Sequence, residues 1–597
     1  MRFYYNSLKK ECKSVTGGAE VNSPLTFNVF ASDVKECLLR VVKDGENVVE
    51  YPMKRTDSGF TFTLTITSTG LYFYDFSADG TLYGLGEDYT AEENSDEKYK
   101  LVAYKEGYVT PERIKGGIIY QIFPDRFCKV GEPQTIGKKL HEKWNELPEW
   151  RFNDKGEILN DDFFGGNFKG IESKLGYLKS LGVTAIYLNP VTKAFSNHRY
   201  DTGDYMKIDE LLGTEEDFKS LVNKAKGKGI TIILDGVFNH TGSDSRYFNT
   251  YGNYDDVGAY QSKDSKYYGW YNFIKYPDVY ESWWGFKTLP SLNKNNKEYR
   301  KFVSGDNGVI SHYMDLGIGG YRLDVVDELP DDMVEEIRTA IKKKDENALL
   351  IGEVWENATD KIAYGVRRKY FCGTELDSVM NYPLYNTAID FVLNGNSSRF
   401  KRTVEDMVDN FPKQALDCLM NISGTHDTIR LVTALSGLKA ETREEMSKTE
   451  IAESDMPSVI EKVKKVLLIN YTVPGVPSVY YGDELCMQGF KDPFNRQTFT
   501  GKDEYGLLPF VKRLGEIRRK VDLFKDGELI FEYENEGTVV YSRRRGNQKI
   551  YVLVNVSEKD ADIEFKGDLY ELLTDVKYTN GYTLKKGGIA LLYGEKI

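Results

Sequence analysis

At 597 residues the chain is too long for a single hydrophobic core, so a large central unit with smaller attached ones is expected. A formal net charge of −13, with Arg543 to Arg545 as the densest basic run, argues against nucleic acid or an anionic membrane surface as a partner. Six scattered cysteines lack any C-x-x-C pair, and neither Met1 to Lys10 nor any later stretch carries the apolar run of a signal core or a membrane span, so a cytoplasmic protein with reduced thiols is expected.

Residues 1–112 read as short alternating segments, among them Leu25 to Phe30, Phe60 to Ile66 and Leu71 to Phe76. Period-two patterning between Gly, Asp and Ser predicts an N-terminal antiparallel β-sandwich. Over 113–525 the pattern changes to short apolar runs, each followed by a helical stretch, as in a parallel α/β barrel. The predicted strands are Gly117–Phe123, Thr184–Leu188, Thr231–Val237, Gly320–Asp324, Leu349–Glu353, Ser378–Asn381, Leu419–Ile422 and Val476–Tyr480, and eight strands close such a barrel. About 80 residues separate the third from the fourth, far beyond an ordinary βα connection. The first part of that stretch is crowded with Tyr and Trp, which predicts an inserted sub-domain over 241–289. Alternation returns in Thr538 to Ser542 and Ile550 to Asn555, so residues 526–597 are predicted to form a C-terminal β-sandwich. The expected fold class is therefore α/β: a (β/α)₈ barrel with an insertion after its third strand, flanked by two β-sandwiches.

Barrel chemistry gathers at the carboxyl ends of the strands. The third predicted strand runs into Asp235 and then His240, the fourth carries Arg322 and ends on Asp324, the fifth ends on Glu353 with Trp355 beyond it, and the seventh runs into His426 and Asp427. Any one of these has a plainer reading as a helix cap or a salt-bridge partner. Four carboxylates, an arginine and two histidines converging on one rim is a pattern those readings do not produce.

These segments, with Gly182 to Pro190, Leu289 to Asn293 and Gly475 to Gly482, resemble in sequence order the motifs of the α-amylase family, glycoside hydrolase family 13. Tyr120 to Phe127, Phe164 to Asn167, Ser196 to Thr202 and Met380 to Pro383 look most like its neopullulanase, cyclomaltodextrinase and maltogenic amylase branch. The chain departs from that branch at Leu289 to Asn293 and at Asp327, which leaves the preferred substrate open.

The resemblance implies a retaining hydrolase of α-glucosidic bonds in oligosaccharides or polysaccharides, with Asp324 as nucleophile, Glu353 as proton donor and then base, and Asp427 as the third carboxylate. A retaining mechanism requires the first two acids to stand about 5–5.5 Å apart. It further implies that Tyr200, His240 and His426 contact the sugar being cleaved, that Trp355 is a platform for the leaving-side sugar, and that Asp492 and Arg496 sit toward the non-reducing side. Arg322 shares a strand face with Asp324 and is expected to hold the nucleophile ionised, with Asp235 as its second partner. No cofactor and no catalytic metal are expected; a structural Ca²⁺ at an oxygen-rich loop such as Asn160 to Asp162 stays open. A glucanotransferase would use the same acids, an inactive carbohydrate-binding barrel would lack some of them, and the N-terminal sandwich is expected to serve a homodimer or to shape the cleft.

Overall fold

The computed structural model describes residues 3–133 and 137–596; Met1 and Arg2, at the head of the N-terminal stretch read above, lie outside them. Eight short parallel strands make the central sheet: β1 Ile119–Ile122, β2 Ala185–Leu188, β3 Thr231–Gly236, β4 Gly320–Leu323, β5 Leu349–Gly352, β6 Ser378–Val379, β7 Met420–Ile422 and β8 Val476–Tyr480. Their spatial order is β6-β5-β4-β3-β2-β1-β8-β7. A parallel bridge between Met380 and Met420 brings the two ends of that order together, so the barrel is nearly closed.

These strands read as continuous apolar runs because both of their faces are covered. Ile119, Tyr187, Ile233, Ile351 and Met420 point inward and pack on one another. Their neighbours Tyr120, Ile186, Ile232 and Leu350 point outward against the helices. At the seam, where β6 is only two residues long, side chains supply bonds that the ladder lacks. Asn381 Nδ2 donates to Asn421 Oδ1 at 2.9 Å and Ser378 Oγ to the Cys418 carbonyl at 2.6 Å. The surrounding helices start where the sequence caps them: Thr214 and Asp217 each bond the other's backbone at the head of Glu215–Gly227.

Between β3 and β4 the chain forms a small hairpin, Phe273–Lys275 with Val279–Tyr280, followed by the helices Lys297–Ser304 and Val309–Asp315. Its aromatic residues pack mainly on each other; Tyr247, for example, stacks on Trp270 at 5.4 Å. The N-terminal residues form a four-stranded and a seven-stranded sheet whose facing residues, Phe27 and Phe60 against Leu39 and Phe76, share one core. One pair breaks the antiparallel rule, Ala19–Glu20 lying parallel to Tyr99–Tyr104. A buried ion pair, Lys13 Nζ to Asp409 Oδ1 at 2.6 Å, joins this unit to the barrel. The C-terminal residues form a six-stranded and a two-stranded antiparallel sheet around Val540, Leu553, Leu584 and Leu592. They attach to the barrel helix Met456–Thr472 through Tyr541 Oη to Thr472 Oγ1 at 2.6 Å and Arg543 Nη1 to the Thr472 carbonyl at 2.8 Å.

Candidate active site

Strands β4 and β5 pair in register up to Leu323 with Gly352, and the next amide, Glu353 N, donates to the Leu323 carbonyl at 3.1 Å. Asp324 and Glu353 therefore leave the barrel side by side, from strands whose spacing is about 4.8 Å. Beneath them lies the fully buried guanidinium of Arg322. Its Nη1 contacts Asp235 Oδ1 at 2.8 Å and Asp324 Oδ1 at 2.9 Å, and its Nη2 contacts Glu353 Oε2 at 2.8 Å. Asp235 also accepts from the hydroxyls of Tyr187 at 2.6 Å and Tyr200 at 2.7 Å. Glu353 is further fixed by the Val325 amide at 2.8 Å and by the Trp355 indole at 3.1 Å.

Burial pushes the Asp324 carboxyl well above the usual carboxylate range; Arg322 pulls it back, while Glu353, Asp235 and Asp427 push it further. Burial likewise raises Asp235 against the pull of Arg322. Asp427 is pushed up to about 6 by burial, with Arg496 opposing and Glu353 adding to the rise. Acids this close share their protons, so the cluster retains one to higher pH than a lone carboxylate would.

The two rim histidines are held neutral in different surroundings. His426 is kept well below its ordinary range by burial and by the cations Arg496 and Arg322. Its Nδ1 accepts from Gln121 at 2.9 Å, and its Nε2 lies 3.1 Å from Asp427 Oδ2. Tyr200 stacks on this ring at 5.2 Å. His240 is pushed down to about 3 by burial and by Lys294. Its ring stacks on Trp283 at 5.2 Å, and its Nε2 has no protein partner.

Arg496 ties the other side together, reaching Asp492 Oδ1 at 2.9 Å and Asp427 Oδ1 at 3.3 Å. It is buried, so the Asp492–Arg496 pair is part of the site and not a surface ion pair. All eleven residues singled out from the sequence come together: nine line one cleft of about 1120 Å³, and Arg322 and Asp235 lie buried under its floor. Trp355 stacks on Tyr382 at 3.9 Å and leaves 45% of its surface exposed toward the cleft.

Other contributors were not singled out. Gln121 and Tyr187 are the last residues but one of β1 and β2, and Asn189, just beyond β2, donates to the Tyr200 hydroxyl at 2.8 Å, so a search of polar residues near those two strand ends finds all three. The outer walls carry no such signal. Trp284 and Tyr364, 79% and 71% exposed, line the cleft from loops after β3 and β5. Both have left-handed backbone, a costly conformation for bulky residues, and both donate to Glu328 Oε1.

In the loop considered for Ca²⁺, one carboxylate is already taken up by protein groups. The Asp162 carboxylate accepts from Glu149 N at 3.0 Å, Asn197 Nδ2 at 3.0 Å and His141 Nε2 at 2.9 Å. Among the described residues no three His, Cys, Asp or Glu side chains are grouped to hold a metal, and no helix is long and apolar enough to cross a membrane.

Residues 121–508 match the family model for the alpha-amylase catalytic domain. The amylopullulanase of Thermoanaerobacter thermohydrosulfuricus is 36% identical over 540 residues, which cover 81% of this chain and 36% of that protein. The cyclomaltodextrinase of Geobacillus thermopakistaniensis (strain MAS1) is 30% identical over 490 residues, covering 79% of this chain and 75% of the relative. The type III pullulan hydrolase from Thermococcus kodakarensis superposes with a TM-score of 0.70 at 25% identity, over 99% of this chain and 100% of that one. The chain spans about a third to a half of the length of the amylopullulanases it matches. With most of the barrel inside the matched segment and the acids converging at its carboxyl end, the chain belongs to the α-amylase family of glycoside hydrolases.

Proposed function

We propose that this chain is a retaining glycoside hydrolase that cleaves α-1,4-glucosidic bonds, and α-1,6 bonds as well, in maltooligosaccharides, cyclodextrins, pullulan or starch. The observation that carries the reading is the single buried guanidinium of Arg322 shared by Asp235, Asp324 and Glu353, which lines up two acids on adjacent strands at the mouth of the cleft. The names of the relatives, amylopullulanase and cyclomaltodextrinase, support the substrate class.

In the first step an Asp324 oxygen bonds to the anomeric carbon as the glycosidic C–O bond breaks, and Glu353 gives its proton to the departing oxygen. In the second, Glu353 takes a proton from water, the water oxygen bonds to the anomeric carbon, and the ester to Asp324 is released. Arg322 steadies Asp324 as its charge is spent and restored. Asp427 accepts from sugar hydroxyls as the ring flattens, and the exposed face of Trp355 supports the leaving-side sugar. His240 and His426 both line the cleft beside the acids, where each is a contact for the sugar being cleaved.

The test is a panel of cyclodextrin, maltooligosaccharides, pullulan and starch with products identified by chromatography and the new anomer read by NMR. The α-anomer should form first; a β-anomer would overturn the retaining assignment. Products longer than a maltotriose substrate would mark a glucanotransferase. Glu353→Gln should lower turnover about a thousandfold while maltooligosaccharide binding persists, and unchanged turnover would remove Glu353 from its role.

A further inference from the structure

A second concave site lies in the C-terminal sheets. A groove of about 480 Å³ is lined by Asp562, Ile563, Glu564, Tyr578, Tyr582 and Thr583, none of which borders the catalytic cleft. Strand Ala561–Ile563 pairs with Tyr582–Leu584, placing Ile563 opposite Tyr582 and Asp562 opposite Thr583. Tyr578 comes from Val576–Thr579, the edge strand of the six-stranded sheet.

The turn between the two tyrosines is locked. Asn580 adopts left-handed backbone and exchanges two hydrogen bonds with Gly567, its N donating to the carbonyl at 2.9 Å and its Oδ1 accepting from the amide at 2.8 Å. The two rings are thereby held edge to face with centroids 4.8 Å apart. Neither hydroxyl is bonded by a protein group among the described residues. At Gly581 a Cβ would find only the Ile563 carbonyl, at 3.6 Å, so the floor between the rings is open.

The chemistry of this lining selects its occupant. Rigid half-buried rings with free hydroxyls suit a ligand that is apolar on one face and hydroxylated at its edge. Asp562 and Glu564 are acceptors for hydroxyl donors and repel anions. The one cation in its lining, Lys585, is paired with Asp560 at 2.9 Å. A neutral pyranose chain meets these conditions; a phosphorylated or acidic ligand does not.

We propose that this groove is a non-catalytic binding site for a linear α-glucan segment, which holds a polymeric substrate while the separate cleft cuts it. The choice of α-glucan among neutral sugars rests on the hydrolase reading above.

The test uses the full chain carrying Glu353→Gln, so that starch is retained uncut, with granular starch as the probe. Starch retention should fall about tenfold when Tyr578→Ala and Tyr582→Ala are added, the loss expected for one to two stacking contacts. The paired Phe replacements, which keep both rings, should retain most of the binding. In the otherwise unaltered enzyme the double Ala variant should hydrolyse maltotriose at the parent rate, which also shows that it folds. Starch retention that the double Ala variant leaves intact overturns the groove while leaving the hydrolase standing. A parent enzyme that cuts no glucan of the panel would instead remove the reading on which the ligand class rests.

Discussion

Arg322 touches three acids with two nitrogens, and a lysine could not reproduce that planar fork. Arg322→Lys should therefore cost about a hundredfold or more in kcat with a much smaller change in KM, measured by steady-state kinetics on maltotriose. An unchanged kcat would mean that the shared guanidinium does not position the acids. At this scale much of the site can be read from the sequence, because a barrel fixes which residues end its strands. What cannot be read is the state of each group. Nothing in the motif around His426 says that its Nδ1 is already engaged, since the donor, Gln121, lies 305 residues away in the sequence.

The eight parallel strands were visible as apolar runs, and the structure trims most of them by a single residue where the ladder stops, with a larger loss at Ile119–Ile122 within the predicted Gly117–Phe123. The cleft walls were not visible. Residues 141–161 contain no helix or strand, yet Ile158, Leu159 and Asn160 line the cleft. That segment is held by His141, whose Nδ1 meets Glu146 at 3.0 Å and whose Nε2 meets Asp162 at 2.9 Å, with Arg126 Nη2 3.8 Å from the same Asp162 oxygen and the His141 ring stacked on Phe164 at 4.0 Å. Burial disfavours the imidazolium, but the two carboxylates outweigh it and raise the His141 pKa. Its stabilisation is thus fully present below the ordinary histidine value and is lost as pH climbs through the raised one, when a neutral ring can donate to only one acid. The thermal midpoint of the parent should fall between about pH 6 and 9 more steeply than that of His141→Gln. Parallel curves would show that the histidine does not clamp the loop.

Across the whole molecule, three sheet systems are joined by a few specific buried bonds. Lys13 and Asp409, both almost fully buried, link the N-terminal sheets to the barrel, and Ser7 Oγ adds a bond to Asp409 at 2.9 Å. Lys13→Met strands a carboxylate in the interior and should cost about 3–5 kcal/mol in denaturant unfolding, whereas Lys13→Met with Asp409→Leu should recover most of it. Equal losses for both variants would place the stability in packing instead of charge. Period-two alternation announced the N- and C-terminal sheets, but not the pairing of distant strands. The parallel contact of Ala19–Glu20 with Tyr99–Tyr104 leaves no local trace, because it depends on which edge is free after the sheet has formed.

The lone guanidinium under the catalytic floor also bears on inhibition. Asp235, Asp324 and Glu353 outnumber it, so an unoccupied mouth has an electrostatic appetite for positive charge near the atom under attack. A sugar mimic with a basic ring nitrogen should bind more tightly than its uncharged carbon analogue. Its advantage should peak where the nitrogen is still protonated and the pocket has lost its last shared proton, which inhibition constants measured across pH would reveal as a bell.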